Sequence, residues 1–103
     1  MKKAKVFVDS QLAGELQEIE RNRHYRFVYL NSYAGPSVSL EMPINRSIYE
    51  FDKFPPFFDG VLPEGLRLEA LLRQAKLDRT DYFGQLITVG ADLVGAITVK
   101  EIK

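Results

Sequence analysis

The 103-residue chain contains no cysteine, which excludes a disulfide framework, thiolate chemistry and a cysteine-held metal. It has no excess of either charge: 14 basic residues stand against 14 acidic ones, for a formal net charge of zero. A broad grip on nucleic acid needs a basic face that displaces counterions, so no direct nucleic-acid partner is expected. Adhesion to an anionic membrane loses its simple electrostatic reason as well. The apolar runs are short, and Met1-Lys2-Lys3 leads into strand-like alternation rather than a signal-peptide core, so a cytoplasmic location is expected. Neutral proteins are less well kept apart by charge, so a surface built for a partner would be somewhat sticky.

Catalytic chemistry is also thinly supplied. His24 is the only histidine, and it stands in a run of alternating aromatics where a sheet residue with a satisfied ring is the expected role. One histidine with scattered carboxylates gives no transition-metal spacing, so no metal or other cofactor is expected. Asp9, Asp52, Asp59, Asp78, Asp81 and Asp92 fall near turns or helix starts, where aspartate caps backbone amides. Gly60, Gly65, Gly84, Gly90 and Gly95 make no phosphate-cradling loop, and no Gly-Lys-Ser/Thr follows a strand. Kinase catalysis needs a catalytic aspartate, a metal-holding aspartate and a phosphate-clamping lysine on two lobes. This chain is expected to be no enzyme.

A hydrophobic fraction of 46% with 12% aromatics is ordinary for a globular protein, and the length suits one domain, residues 1–103. Lys3 to Val8 alternates, with Ala4, Val6 and Val8 on one face. Asp9-Ser10-Gln11 has turn chemistry and Leu12 to Ile19 returns as a second strand. His24 to Leu30 is the cleanest strand, with Tyr25, Phe27 and Tyr29 on one face. Gly35-Pro36 stops the chain, and Val38, Leu40 and Met42 then repeat at period two, which predicts a further strand before Pro43. From Ile44 to Pro56 the apolar residues are irregular. Pro55-Pro56 opens a short helical turn through Phe57-Phe58, and Gly60 and Gly65 bracket a tight loop.

Leu68, Leu71, Leu72 and Ala75 recur at helical spacing and predict an amphipathic helix. Asp78 and Thr80 offer N-cap chemistry for a shorter helix carrying Phe83, Leu86 and Ile87, with Gly90 as its C-cap. Leu93 to Val99 reads as a last strand that must return to the sheet. The expected fold is α+β: a small antiparallel sheet or barrel-like meander with two or three helices.

Two segments carry more than this pattern. Phe57-Phe58-Asp59-Gly60-Val61-Leu62-Pro63-Glu64-Gly65, a helix, and then Val89-Gly90-Ala91-Asp92-Leu93-Val94-Gly95-Ala96 resemble the N-terminal subdomain of the HipA-type serine/threonine kinases, toxins of bacterial toxin–antitoxin modules. Those kinases carry a similar Phe-Phe-Asp…Leu-Pro turn, then a helix, then a Gly-x-Asp-x-Val-Gly-Ala segment. The chain stops where that subdomain would stop, like the separately made small protein of three-component HipBST modules. The resemblance implies a partner: a HipA-like (HipT) kinase, with a HipB-like DNA-binding protein in the same module. It implies an antitoxin-type inhibitor acting in trans, a subunit that completes the kinase, or an adaptor between kinase and repressor.

Phe57, Gly90 and Gly95 read as packing or backbone geometry rather than contact. Leu66 reads differently. At 100° per residue it falls opposite the Leu68, Leu71, Leu72 and Ala75 stripe, in line with Ala70, Arg73 and Leu77. Val61, Leu62 and Leu66 would form an apolar knob with Glu64 and Arg67 at its rim, the make-up of a protein–protein hot spot. The expected kinase contacts are therefore Phe58, Asp59, Val61, Leu62, Glu64, Leu66 and Arg67.

Overall fold

The computed structural model describes residues 1–93 and 95–103; Val94, one of the motif positions, lies outside the described residues. Three strands form an antiparallel meander: β1 (Lys2–Val8), β2 (Gln11–Glu20) and β3 (His24–Tyr29). The β1–β2 turn needs two left-handed residues, and Asp9 and Ser10 supply them at φ 50° and 68°, the backbone hand that matches strand twist in a two-residue hairpin. After a long loop, β4 (Ile48–Phe51) pairs with the outer edge of β3. The chain then forms α1 (Pro56–Gly60), α2 (Gly65–Ala75) and α3 (Tyr82–Val89). Finally β5 (Ile97–Ile102) returns antiparallel to β1. The strand order is β4-β3-β2-β1-β5. Its two edge strands do not meet, so the sheet is open rather than barrel-like.

The register explains the core. Ala4 lies opposite Leu16, Leu16 opposite Phe27, and Val6 opposite Val99, so the alternating apolar residues form rows on one face. Ala4, Val6, Leu16, Tyr25 and Phe27 are fully buried there. Phe58 of α1 and Phe83 and Leu86 of α3 close over them. The other face carries charge: Lys3 reaches Glu15 at 3.9 Å and Arg26 reaches Glu50 at 3.0 Å.

Four sequence expectations are corrected. Val38, Leu40 and Met42 form no strand. Ser39 and Met42 make only an isolated bridge, and while Val38 and Met42 are buried, Leu40 is 98% exposed. The fourth strand comes instead from Ile48–Phe51, whose apolar residues are only partly covered because it lies at the sheet edge. The cap of α3 is Asp81, whose carboxylate accepts the Gly84 N–H at 2.9 Å; Asp78 and Thr80 lie before it, in the link from α2. The last strand starts at Ile97 rather than Leu93 and runs into Lys100 and Glu101, charges that an edge strand tolerates.

Candidate partner-docking site

Pro56 starts α1 with a preset φ and no N–H to satisfy, and the Asp59 N–H closes the turn on the Pro55 carbonyl at 3.0 Å. This swings Phe58 onto the sheet, where its ring centroid lies 6.2 Å from that of Phe27. The chain then keeps turning tightly: Val61 N–H donates to Phe58 and Leu62 N–H to Asp59. Leu62 is thereby driven inward, to 8% exposure, with Val61 half-buried against the core. Glu64 is extended, and α2 begins at Gly65.

Leu66 is 88% exposed. It sits in the first turn of α2, and no residue of α2 is fully buried. Leu68, Leu71, Leu72 and Ala75 are only half-covered, so the amphipathic stripe exists but the fold covers it incompletely. The helix is tied at its side by the Arg79 guanidinium, which donates to both carboxylate oxygens of Glu69. Its ends are weak. Glu64 makes no side-chain cap, and Lys76 closes the C-terminus in the left-handed region at φ 56°.

The two motif segments meet in space. Gly60, Val61, Leu62, Pro63 and Arg67 face Val89, Asp92 and Leu93 across a groove of about 570 Å³. The glycines of the second segment serve backbone geometry, as their positions suggested. A Cβ on Gly90 would stand 2.1 Å from the Val99 carbonyl oxygen, and the Gly90 carbonyl accepts the Val99 N–H at 2.9 Å. Gly95 takes φ +86°, a conformation that side chains resist.

The expected contact residues thus divide. Leu66, Arg67, Glu64 and Asp59 are exposed; Val61 is half-buried; Phe58 and Leu62 lie in the core. The structure does not bring Val61, Leu62 and Leu66 together as one exposed knob. It leaves Leu66 as a lone apolar projection beside a groove that Val61 and Leu62 help to wall. Arg67 is common to both.

The best-placed titratable groups away from this region have structural partners. His24 Nε2 lies 2.7 Å from Glu50 Oε1, so its ring is satisfied as a sheet residue. That bond, joined by Arg26, holds the Glu50 carboxyl below its usual range. Tyr25 donates to the buried Glu18 carboxylate at 3.0 Å, and burial first, then Glu18, pushes its phenol up to about 12. Sequence reasoning missed Leu40 as a surface feature because its period-two neighbours are buried. Its one signal was polar company, between Ser39 and Glu41.

Among the described residues, no helix is long and apolar enough to cross a membrane. The sequence model of the HipA N-terminal domain matches residues 4–100. An uncharacterized protein of Haemophilus influenzae is 31% identical over 103 residues, covering all of this chain and 95% of that protein. A solved structure described as the N-terminal domain of HipA toxin superposes with a TM-score of 0.77 at 27% identity. That match covers all of this chain and 94% of the solved one.

Proposed function

Since the chain belongs to the HipA N-terminal domain family, we propose that it binds a HipA-like serine/threonine kinase in trans and holds it inactive, as an antitoxin-type regulator. The Haemophilus relative, 95% of which this chain covers, is too short to hold the two lobes of a kinase as well, which favours action between separate chains. The observation that carries the reading is Leu66, 88% exposed at the head of a helix that the fold itself buries nowhere. An exposed apolar projection rimmed by Glu64 and Arg67 is the form of a hot-spot anchor. It docks at or near the nucleotide cleft of the kinase or its Gly-rich loop. Inhibition follows by occlusion, or by tighter binding to a kinase conformation that cannot align ATP; equal affinity for both conformations would shift nothing. A HipB-like repressor in the same assembly would couple this binding to operon control without the chain itself touching DNA.

The test is autophosphorylation of a HipA-like kinase lacking this domain, with and without excess protein. Wild type should suppress it. Leu66→Asp should restore it, with binding weakened about 30-fold or more, the scale of a lost anchor worth at least ~2 kcal/mol. An aspartate in the first turn suits the helix dipole, so the variant should stay folded. A gain of activity would make the chain a completing subunit, and stable binding without any change of activity would make it an adaptor. Retained inhibition by Leu66→Asp would remove Leu66 from the interface.

A further inference from the structure

A second exposed leucine lies in the loop joining β3 to β4, and that loop is firmly held. Tyr33, Val38 and Met42 are buried as its anchors. The Tyr29 hydroxyl accepts the Val38 N–H at 2.8 Å and donates to the Met42 carbonyl. The Tyr49 hydroxyl donates to the Pro43 carbonyl at 2.6 Å, and Ser37 Oγ accepts the Ile44 N–H at 2.8 Å. At the tip, the Met42 N–H closes a turn on the Ser39 carbonyl at 3.2 Å. Leu40, inside that turn, is 98% exposed. So rigid a mount for a fully exposed leucine has no use in the fold itself.

Leu40 is not isolated. Leu30, Ile44 and Ile48, at 39%, 37% and 44% exposure, belong to the same loop and the strand ends that flank it. Only Met1 and Leu66 among the other described large hydrophobics are exposed to this degree. Apolar surface gathered in one place marks an interaction site more strongly than a single exposed residue does. Near it in the loop stand one acid, Glu41, and one base, Arg46, whose guanidinium lies 5.2 Å from the Tyr49 ring centroid. A balanced rim suits a protein surface; an anionic membrane or nucleic acid would call for a basic one.

The antiparallel order puts the β1–β2 turn, the β3–β4 loop and the lead into β5 at one end of the sheet. Contacts trace that end from the Leu66 side to the β1–β2 turn. Arg67, next to Leu66, lines a groove with Leu93. Three residues after Leu93, the Ala96 carbonyl accepts the Asp9 N–H at 2.9 Å. The molecule measures 39 × 27 × 26 Å along its principal axes, a span within the reach of one protein lobe.

We propose that the Leu40 turn is a second anchor for the kinase, gripped together with Leu66 by a single partner surface; this rests on the kinase-binding reading above. The partner surface required is an apolar pocket for Leu40 with a basic group facing Glu41. Two anchors on one folded domain act as one ligand: once either is seated, the other binds at high effective concentration.

The experiment measures affinity for the kinase by calorimetry for wild type, Leu40→Asp, Leu66→Asp and the double variant, with thermal unfolding as the fold control. Leu40→Asp should keep the wild-type melting temperature and weaken binding about 10-fold or more, and the double variant should bind less than either single one. Wild-type affinity in Leu40→Asp, with binding lost in Leu66→Asp, overturns the second anchor and leaves the kinase-binding reading intact. Failure of wild type to bind any HipA-like kinase overturns both. Sedimentation supplies the last arm: a wild-type dimer that becomes monomeric in Leu40→Asp, at unchanged kinase affinity, would assign the patch to a second copy and overturn the proposal.

Discussion

Helices α2 and α3 are neighbours in the chain, joined by a short link, yet they are built to opposite standards. In α3, Phe83 and Leu86 are fully buried, Gln85 is buried with its amide donating to the Arg79 carbonyl at 3.0 Å, and Asp81 caps the first turn. Gly90 at its end lets the helix close directly onto β5. In α2 no residue is buried, no side chain caps the start, and a lysine takes the left-handed position at the end. An apolar stripe with the helical period is present in both. The difference is what covers it. Core burial makes α3 part of the fold, whereas α2 leaves its leucines half-covered, which under the proposed reading a partner would complete.

The sharpest way to break this contrast is to truncate one large apolar side chain in each helix. Phe83→Ala should cost about 3–5 kcal/mol, the cavity penalty of a fully enclosed aromatic, enough to unfold a marginally stable small domain. Leu71→Ala, half-covered in α2, should cost about 1 kcal/mol or less by the area it loses. Urea melts of the two variants measure both. Equal losses would show that α2 is a full member of the core and would undo the division between the helices.

Alkaline titration sharpens the same contrast from the side of the sheet. A group whose pKa is higher folded than unfolded stabilises the protein below the unfolded pKa and loses that contribution as pH rises through the folded one. Tyr25, pushed by burial and by Glu18 from 10.0 to about 12, therefore costs the folded state roughly 2–3 kcal/mol between those pH values. Tyr29 is raised too, by burial first, and adds in the same direction. Tyr25→Phe should flatten its share of this alkaline loss while stranding the Glu18 carboxylate without its phenol donor, at about 1–3 kcal/mol near neutrality. Far-ultraviolet circular dichroism against pH should show sheet and α3 melting together. Persistence of the full alkaline slope in Tyr25→Phe would place its origin elsewhere.

The same division explains what the sequence revealed. Elements the core holds on a strict period were legible: Ala4, Val6 and Val8; Tyr25, Phe27 and Tyr29; Phe83, Leu86 and Ile87. Elements held by backbone pairing or by local hydrogen bonds were not. Ile48–Phe51 is a strand because β3 offers it an unpaired edge, and nothing in four residues, two exposed and two half-covered, announces that. Val38, Leu40 and Met42 mimic a strand, but Tyr29 and a Ser39–Met42 turn fix them otherwise, and it takes the fold to bring Tyr29 there. Among Asp78, Thr80 and Asp81, only local geometry decides which caps α3. At the candidate docking region, period alone correctly turned Leu66 outward. Its place in the preceding loop groups Leu62 with Leu66, but a tight turn after α1, which no sequence pattern reports, buries Leu62.

The smallest expected effect bears most directly on what α2 is for. Lys76 closes that helix at φ 56°, where a side chain is strained and glycine is not, so Lys76→Gly should stabilise the helix end by about 0.5–1 kcal/mol. If α2 opens independently of the sheet, that gain stays local: amide exchange slows within Gly65–Ala75 while the global melting temperature is unchanged. A helix already formed when its partner arrives loses less conformational freedom on binding, so Lys76→Gly should also raise affinity for the kinase severalfold. A rise in global melting temperature with no change in exchange confined to α2 would mean the helix unfolds only with the whole domain. Leu66 would then project from a rigid platform, and the partner would gain nothing from its pre-ordering.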